Sequence, residues 1–168
     1  FGRDQIYLEK FLDSPRHIEV QVLADNFGNA LHFFERDCSI QRKNQKIVEE
    51  APALNIPEDK KQELFKLCTE CCKKMKYKGA GTFEFLYKDE EFYFIEMNTR
   101  LQVEHTVSEM ITDFDLVKLQ IGIAAGEKLK ISQGDISVRG HAIQCRINAE
   151  HPKTFIPSPG KITEWGKP

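Results

Sequence analysis

The chain has 168 residues, of which 40% are hydrophobic and 30% are charged, and this composition excludes an intrinsically disordered protein. Its 24 lysines and arginines are balanced by 26 acidic residues and form no long basic block, so the sequence does not indicate a nucleic-acid surface. We therefore expect a folded globular chain of one domain, or of one domain and part of another.

The first predicted element is a strand from His17 to Ala24, followed by an antiparallel partner from Ala30 to Glu35. Turn-forming residues at 25–29 separate the two. Side chains of the first strand alternate in polarity, which predicts a strand that is buried on one face only. The apolar face would consist of Ile18, Val20, Val22 and Ala24, and the polar face of His17, Glu19 and Gln21.

A long helix is predicted from Pro57 to Tyr77. Proline and the two acidic residues after it suit the first turn, and Gly79 suits the end. Five residues recur at helical spacing and predict one apolar stripe, namely Leu64, Cys68, Cys71, Cys72 and Met75. The neighbouring cysteines also fit a metal site or a redox pair, but the sequence has no second Cys or His pair nearby to complete a zinc site.

Two strands rich in aromatic residues are predicted next, Thr82 to Tyr87 and Phe92 to Met97. Glu84 faces Glu96 across this hairpin if the connection has three residues or if the hairpin contains a bulge, whereas a simple two-residue turn puts Ile95 opposite. Opposed carboxylates repel each other, so this pairing would lower stability unless a cation lay between them.

The last predicted elements are a helix from Asp115 to Ala125, closed by Gly126, and a strand from Gly140 to Asn148. The order of the elements predicts an α+β fold with a largely antiparallel sheet and flanking helices. The polar stretch 132–138 lacks a clear period and is the predicted boundary between domains.

The sequence also gives an expectation for the cellular compartment. No apolar run approaches the roughly 20 residues that a membrane-spanning helix requires. The start, residues 1–4, does not have the pattern of a signal peptide. We therefore expect a cytoplasmic protein with no membrane partner.

The strongest functional signal is the segment from Glu96 to His105, where acids, amides and cations follow a strongly apolar strand. Glu96 and Asn98 share one face of that strand. Together with Glu84 they offer hard oxygen ligands, which suit Mg²⁺ or Mn²⁺. The alternative is that both glutamates are solvated positions on an exposed sheet face.

Several basic side chains could accompany such a metal site. Arg100 and Arg146 can hold planar anions through paired hydrogen bonds, while Lys46 supplies a compact charge for phosphate. Arg146 could instead be a solvated residue of its strand, and His17 could simply face solvent. The remaining histidines have no acid–base partner visible in the sequence and are predicted to be structural; they are His32, His105, His141 and His151.

Four segments carry a resemblance to a known family. Residues 96–100, EMNTR, are shared with carbamoyl phosphate synthetases and indicate ATP-grasp chemistry. Residues 45–53 (QKIVEEAPA), 100–105 (RLQVEH) and 139–150 (RGHAIQCRINAE) are narrower. Over essentially its whole length the chain therefore resembles the biotin carboxylase family of the ATP-grasp superfamily. Asn44 stands where many members carry histidine, which leaves the details of nucleotide contact open.

The resemblance implies a role for each matching residue. The metal ligands would be Glu84, Glu96 and Asn98. The ATP pocket would be lined by Glu9, Lys10, Leu12, His17, Gln41, Asn44, Leu86 and Ile95. Bicarbonate, or the phosphate made from ATP, would be held by Lys46, Arg100, Gln102 and the backbone of Val103. Glu104 would be the general base for bicarbonate and would need a partly dry setting beside Arg100, and Arg146 would stabilise the enolate form of biotin.

The resemblance also implies an organisation and partners. Residues 1–135 would be the second half of an ATP-grasp domain, with Phe1-Gly2 ending its phosphate lid, and residues 136–168 would begin the biotin carboxylase C-terminal domain. The reaction would be ATP- and bicarbonate-dependent carboxylation of biotin on a carrier protein, with a carboxyltransferase as the next partner and a homodimeric full-length enzyme. We expect the 168 residues alone to be inactive, because Pro168 precedes the end of that domain and the lid and N-terminal domain are lacking.

Two other functions remain open. One is a different ATP-grasp ligase, such as a carbamoyl phosphate synthetase or an amide-forming ligase. The other is a non-catalytic subunit-binding module, although the intact set of charged site residues argues against it. The sequence does not select the final acceptor among acetyl-CoA, propionyl-CoA, pyruvate and urea.

Overall fold

A computed structural model describes residue 4 and residues 6–166, so Phe1, Gly2 and Pro168 lie outside the described residues. Six strands form one sheet in the order β5-β4-β1-β2-β3-β6, and every neighbouring pair of these described strands is antiparallel. The strands are β1 (Arg16–Ala24), β2 (Ala30–Arg42), β3 (Gln45–Ala51), β4 (Gly79–Lys88), β5 (Glu91–Asn98) and β6 (Ala142–Cys145). The helices are α1 (Glu58–Met75), α2 (His105–Thr112) and α3 (Leu116–Ala124). The α+β prediction is confirmed.

The strand predicted from His17 is confirmed as β1, but the prediction that it is buried on one face only is wrong. Glu19 and Gln21, on the face predicted to be solvated, are both 0% exposed. They are buried because β2 places Arg36 directly opposite Glu19, and that arginine hydrogen-bonds to both side chains. A polar strand face can thus belong to the interior when its groups are paired.

The β2–β3 hairpin is longer than the sequence predicted. β2 runs seven residues past Glu35, and β3 was not predicted as a strand. Lys43 and Asn44 connect the two strands and both have positive φ values, 51° and 61°, as the central residues of a type I′ turn do. Asn44 in this turn and Lys46 just after it lie together with polar side chains of the other strands.

The predicted long helix is confirmed as α1. Pro57 precedes its first turn, and Lys76 in the left-handed conformation ends it, whereas Gly79 begins β4 and does not end the helix. The stripe of Leu64, Cys68 and Cys72 is buried against β1, β2 and β4, as predicted. Cys71 is only partly buried, and Met75, the last residue of the helix, is 55% exposed, so the inclusion of Met75 in the core was wrong.

The β4–β5 hairpin has the bulge that the sequence left open. Its turn has two residues, Asp89 and Glu90, and both have positive φ values. Ile95 is the extra residue of the bulge, which restores Glu84 opposite Glu96. The two carboxyl groups therefore share one face of the sheet.

The last part of the chain returns to the same sheet. The predicted α3 begins after Asp115, whose side chain accepts a hydrogen bond from the Lys118 backbone, and Gly126 follows its end. α2, which was not predicted, packs on β2, β3 and β6. Only Ala142–Cys145 of the predicted last strand pairs, and it pairs with β3, so the sheet extends across the predicted boundary near residue 135. That boundary stays a prediction.

No helix within residue 4 and residues 6–166 is both long and apolar enough to span a membrane.

Candidate active site

One face of the sheet carries an open cleft of about 530 Å³ whose lining is almost entirely polar. The strands meet here with the β2–β3 turn and with the loop that leads into α2. Twelve of the predicted site residues line the cleft: His17, Gln41, Asn44, Lys46, Glu84, Glu96, Asn98, Arg100, Gln102, Val103, Glu104 and Arg146. Gln45 and Asn148 also line it and were not predicted.

Five predicted nucleotide residues lie outside this cleft. Glu9, Lys10 and Leu12 belong to the extended segment before β1, where the Lys10 ammonium lies 3.1 Å from the Tyr93 hydroxyl. Leu86 is opposite His17 in the sheet, and Ile95 is the half-exposed residue of the bulge. Their role in ATP binding remains a prediction.

Lys46 lies at the centre of the cleft. Its ammonium donates to Glu19 at 2.5 Å, to Glu104 at 2.7 Å and to Glu84 at 2.8 Å. Burial favours the neutral amine, but the surrounding carboxylates, Glu19 foremost, outweigh it and hold the pKa of Lys46 above its usual range. The side chain is therefore a fixed positive charge at neutral pH.

Glu104, the predicted general base, is 2% exposed, which matches the dry setting that the role requires. One of its oxygens accepts from Lys46, and the other accepts from Arg146 at 2.9 Å. Arg100, the expected neighbour, lines the same cleft but is exposed, and its guanidinium contacts the carbonyl of Leu101. The cations that hold Glu104 are thus Lys46 and Arg146.

Arg146 reaches the cleft from the position directly after β6. Its Nε donates to Glu49 at 2.5 Å, and its second contact is Glu104. Glu49 is fully buried. It was not predicted as a site residue, because its partner Arg146 lies 97 residues away in the sequence. Burial raises the pKa of Glu49 despite the ion pair with Arg146. The alternative of a solvated Arg146 therefore does not describe the structure.

The predicted metal ligands lie together on the β4–β5 hairpin. The Asn98 amide nitrogen donates to Glu84 at 2.9 Å and to Glu96 at 3.1 Å, so it lies between the two carboxylates. Glu84 is buried and Glu96 is exposed, so only Glu96 fits the alternative of a solvated position. Burial raises the pKa of Glu84, but His17 and Lys46 outweigh it and bring the value to about 2. The donor set consists of hard oxygens and fits Mg²⁺ or Mn²⁺ if the Asn98 amide turns its oxygen inward.

His17 faces this group and not solvent. Its Nε2 lies 2.8 Å from Glu84 and 3.7 Å from Glu19, as a close ion pair that lacks the alignment of a hydrogen bond. Burial lowers the pKa of His17, but the two carboxylates outweigh burial and raise it to about 9. His17 is therefore a cation at neutral pH.

Arg36, at the floor of the cleft, is the largest feature that sequence reasoning missed. It is 0% exposed, and Glu19 beside it is equally buried. Burial raises the pKa of Glu19, but Arg36 and the neighbouring cations outweigh it and lower the value. Four carboxyl groups (Glu19, Glu49, Glu84 and Glu104) are thus matched by four basic groups (His17, Arg36, Lys46 and Arg146).

The four histidines predicted to be structural do not line the cleft. His32 is buried and stacks on Phe65, with ring centroids 4.3 Å apart. His105 and His141 contact Gln102 and Glu50, and His151 accepts backbone hydrogen bonds within its own loop. None of these four histidines is therefore placed to act as an acid or a base in the cleft.

The amino-acid sequence is similar to those of known proteins. A family model described as carbamoyl-phosphate synthase L chain, ATP binding domain, matches residues 1–132. The chain is 62% identical to the biotin carboxylase of Allochromatium vinosum and 60% identical to that of Pseudomonas aeruginosa. Each match covers all of this chain and 37% of the relative, so the chain spans little more than a third of the length of these curated relatives.

Solved structures show the same fold. A crystal structure of a biotin carboxylase–β-γ-ATP complex from Campylobacter jejuni matches with a TM-score of 0.91 and 53% identity, over 95% of this chain and 36% of that one. The biotin carboxylase domain dimer of the 2-oxoglutarate carboxylase from Hydrogenobacter thermophilus, in complex with MgADP, ADP and bicarbonate, matches with a TM-score of 0.86 and 51% identity. That match covers 92% of this chain and 36% of the other.

Proposed function

The chain belongs to the family of carbamoyl-phosphate synthase L chain ATP-binding domains, within its biotin carboxylases, and from that premise we propose that its cleft is where ATP and bicarbonate react to carboxylate biotin. The observation that carries the proposal is the buried Glu104, which is paired with two cations and lines the same cleft as two opposed carboxylates. Because the chain spans 37% of its curated relatives, the activity is proposed for a protein of their length, and we expect these 168 residues alone to be inactive.

In the first half-reaction, bicarbonate would attack the γ-phosphate of ATP and form carboxyphosphate and ADP. Phosphoryl transfer depends chiefly on positioning and charge neutralisation. Lys46, Arg100, Gln102 and the backbone of Val103 would hold bicarbonate, since these donors line one cleft. Glu104 would accept the bicarbonate proton, and its burial strengthens every charge interaction that it makes.

The metal ligands would hold the phosphates in reach of this anion. Glu84, Glu96 and Asn98 are the proposed ligands, because their oxygens lie on one face of the hairpin. Mg²⁺ or Mn²⁺, when bound there, would neutralise charge on the ATP phosphates. His17, Gln41 and Asn44 would contact the nucleotide from the cleft, while Glu9, Lys10, Leu12, Leu86 and Ile95 would do so from the flank of the hairpin.

In the second half-reaction, carboxyphosphate would break down to carbon dioxide and phosphate beside biotin. The phosphate would take the proton from the ureido nitrogen, and that nitrogen would attack carbon dioxide. Arg146 would stabilise the negative oxygen of the biotin enolate, since its guanidinium is held at the edge of the cleft by Glu49 and Glu104. Biotin itself would be the substrate carried into the cleft.

The wider setting is also a proposal. Biotin would arrive on a carboxyl carrier protein, a carboxyltransferase would use the product, and the full-length enzyme would be a cytoplasmic homodimer. Acetyl-CoA carboxylase, and hence fatty acid biosynthesis, is the proposed context. One matching solved structure is instead the biotin carboxylase component of a pyruvate carboxylase, and the acceptor must therefore be measured.

The test is an ATPase assay of the full-length protein with bicarbonate, with and without free biotin. We expect ATP hydrolysis to require bicarbonate and to rise when biotin is added. The description of the matching family favours one rival, a carbamoyl phosphate synthetase-like ligase. Hydrolysis that depends on ammonia and ignores biotin would establish that rival and overturn the proposal.

A further inference from the structure

Arg36 is a fully buried guanidinium whose five N–H groups can all be accounted for. Its Nε donates to Glu19 at 2.6 Å. One terminal nitrogen donates to Gln21 at 2.7 Å and to Ser108 at 3.0 Å. The other donates to Thr82 at 3.2 Å and to Gln102 at 3.3 Å. Every acceptor is a side chain, and the acceptors belong to β1, β4, the loop before α2, and α2 itself.

The contact with Gln102 has a chemical consequence, because a guanidinium can only donate hydrogen bonds. The amide of Gln102 must turn its oxygen towards Arg36, and its nitrogen then points into the cleft. There the nitrogen donates to Glu84 at 2.6 Å. With the amide reversed, two donors would face each other at Arg36 and two acceptors would face each other at Glu84.

We propose that Arg36 is a positioning residue for the anion site, because it fixes the amide of Gln102 so that a donor and not an acceptor faces bicarbonate. The inference rests on the proposed function for the identity of that anion. Glu84 also orients the amide here, but Glu84 is a proposed metal ligand, so its oxygens would be shared with the cation during the reaction. Arg36 lies beneath the cleft, away from the substrates, and holds the amide throughout.

The arrangement of Glu19 supports the same role. One carboxylate oxygen accepts from Arg36, which leaves the other to accept from Lys46. Glu19 thus holds the Arg36 guanidinium in place beneath Gln102. On the described part of the chain no other cation reaches the side-chain amide of Gln102, whose hydrogen bonds are those to Arg36 and Glu84.

The test uses Arg36→Lys in the full-length enzyme. Lysine keeps the charge but has only three N–H donors, all on one nitrogen, so it cannot replace the five hydrogen bonds of the guanidinium fork. Losing one charged hydrogen bond predicts a rise of about tenfold in the KM for bicarbonate. The KM for ATP should stay within about twofold, since none of the side chains that Arg36 contacts is a proposed nucleotide residue. Arg139→Lys, the same change at an exposed arginine that does not line the cleft, is the matched control and should leave both KM values unchanged.

A double-mutant cycle separates positioning from general structural damage. In a Gln102→Ala background the amide is gone, so Arg36→Lys should raise the bicarbonate KM by less than about twofold. The same factor in both backgrounds, or no rise in either, would overturn the proposal. A wild-type enzyme without bicarbonate-dependent ATP hydrolysis would instead mean that the proposed function is wrong.

A measurement on the wild-type protein covers the case in which Arg36→Lys does not fold. Neutron diffraction from crystals of the deuterium-exchanged protein locates the two deuterons of the Gln102 amide. We expect both on the atom that faces Glu84 and the cleft. Deuterons on the atom that faces Arg36 would refute the inference whatever the enzyme's activity.

Discussion

The two faces of β1 are both buried, but they are buried against different partners. Ile18, Val20 and Val22 are fully buried in apolar clusters, and α1 covers the cluster that contains Val20 and Val22. On the opposite face Glu19 and Gln21 are equally inaccessible, yet they are covered by Arg36 and by the cleft residues. One strand therefore supplies both the hydrophobic core and the floor of the site.

The two faces differ in how substitutions affect stability and activity. Apolar burial depends on the area removed from water and on close packing, so a truncation there lowers stability and leaves distant geometry intact. Buried charges depend on partners, because removing one leaves another uncompensated. We therefore expect variants on the α1 face to separate stability from activity and variants on the cleft face to affect activity directly.

The largest expected effect is on the cleft face, from Glu104→Gln. Glutamine keeps the shape of the side chain but removes the base, so kcat of the full-length enzyme should fall by about 10²- to 10⁴-fold. Steady-state kinetics with bicarbonate as the varied substrate measure it. Glu70→Gln, on the exposed side of α1, is the matched control and should leave kcat unchanged. A kcat within about twofold of wild type for Glu104→Gln would remove Glu104 from the chemistry.

The next effect is on the apolar face, from Phe65→Ala. Phe65 is 1% exposed and contacts His32 and Phe34, so its truncation should lower the free energy of unfolding by about 3–5 kcal/mol. Denaturant unfolding of the full-length protein measures the change. Activity per folded molecule should not fall, and a parallel loss of kcat would show that the two faces are coupled. Leu67→Ala, at an exposed position of the same helix, should change stability by less than about 0.5 kcal/mol.

The sequence predicted most of the apolar face and the hairpin that carries Glu84 and Glu96. α1 was predictable because its stripe and first-turn residues follow a local periodicity. The opposed carboxylates were predictable only as alternatives, because the bulge at Ile95 is a local irregularity that alternation does not encode. The roles of these residues came from the resemblance and not from periodicity.

The floor of the cleft could not be predicted in the same way. Arg36 bonds to side chains that lie 15 to 72 residues away in the chain, so no local pattern indicates its burial. α2 was missed for a related reason. It has only eight residues, and its buried residues Val107 and Ile111 pack on Ala51 of β3, which is distant in the sequence. The polar alternation of β1 pointed the other way, since alternation is typical of a strand with one solvated face.

The smallest expected effect is a pH dependence that belongs to the apolar face. His32 is buried there, and burial lowers its pKa from 6.5 to about 4. The unfolded chain therefore binds a proton at a higher pH than the folded chain, so the free energy of unfolding decreases as the pH falls from about 6.5 to 4. The full difference corresponds to about 3 kcal/mol. His32→Leu should flatten this part of the profile in denaturant unfolding at a series of pH values, whereas His151→Gln, at an exposed position, should not. An unchanged slope in His32→Leu would contradict the assignment to His32, because the cleft carboxylates with lowered pKa values lose their ion pairs mainly at still lower pH.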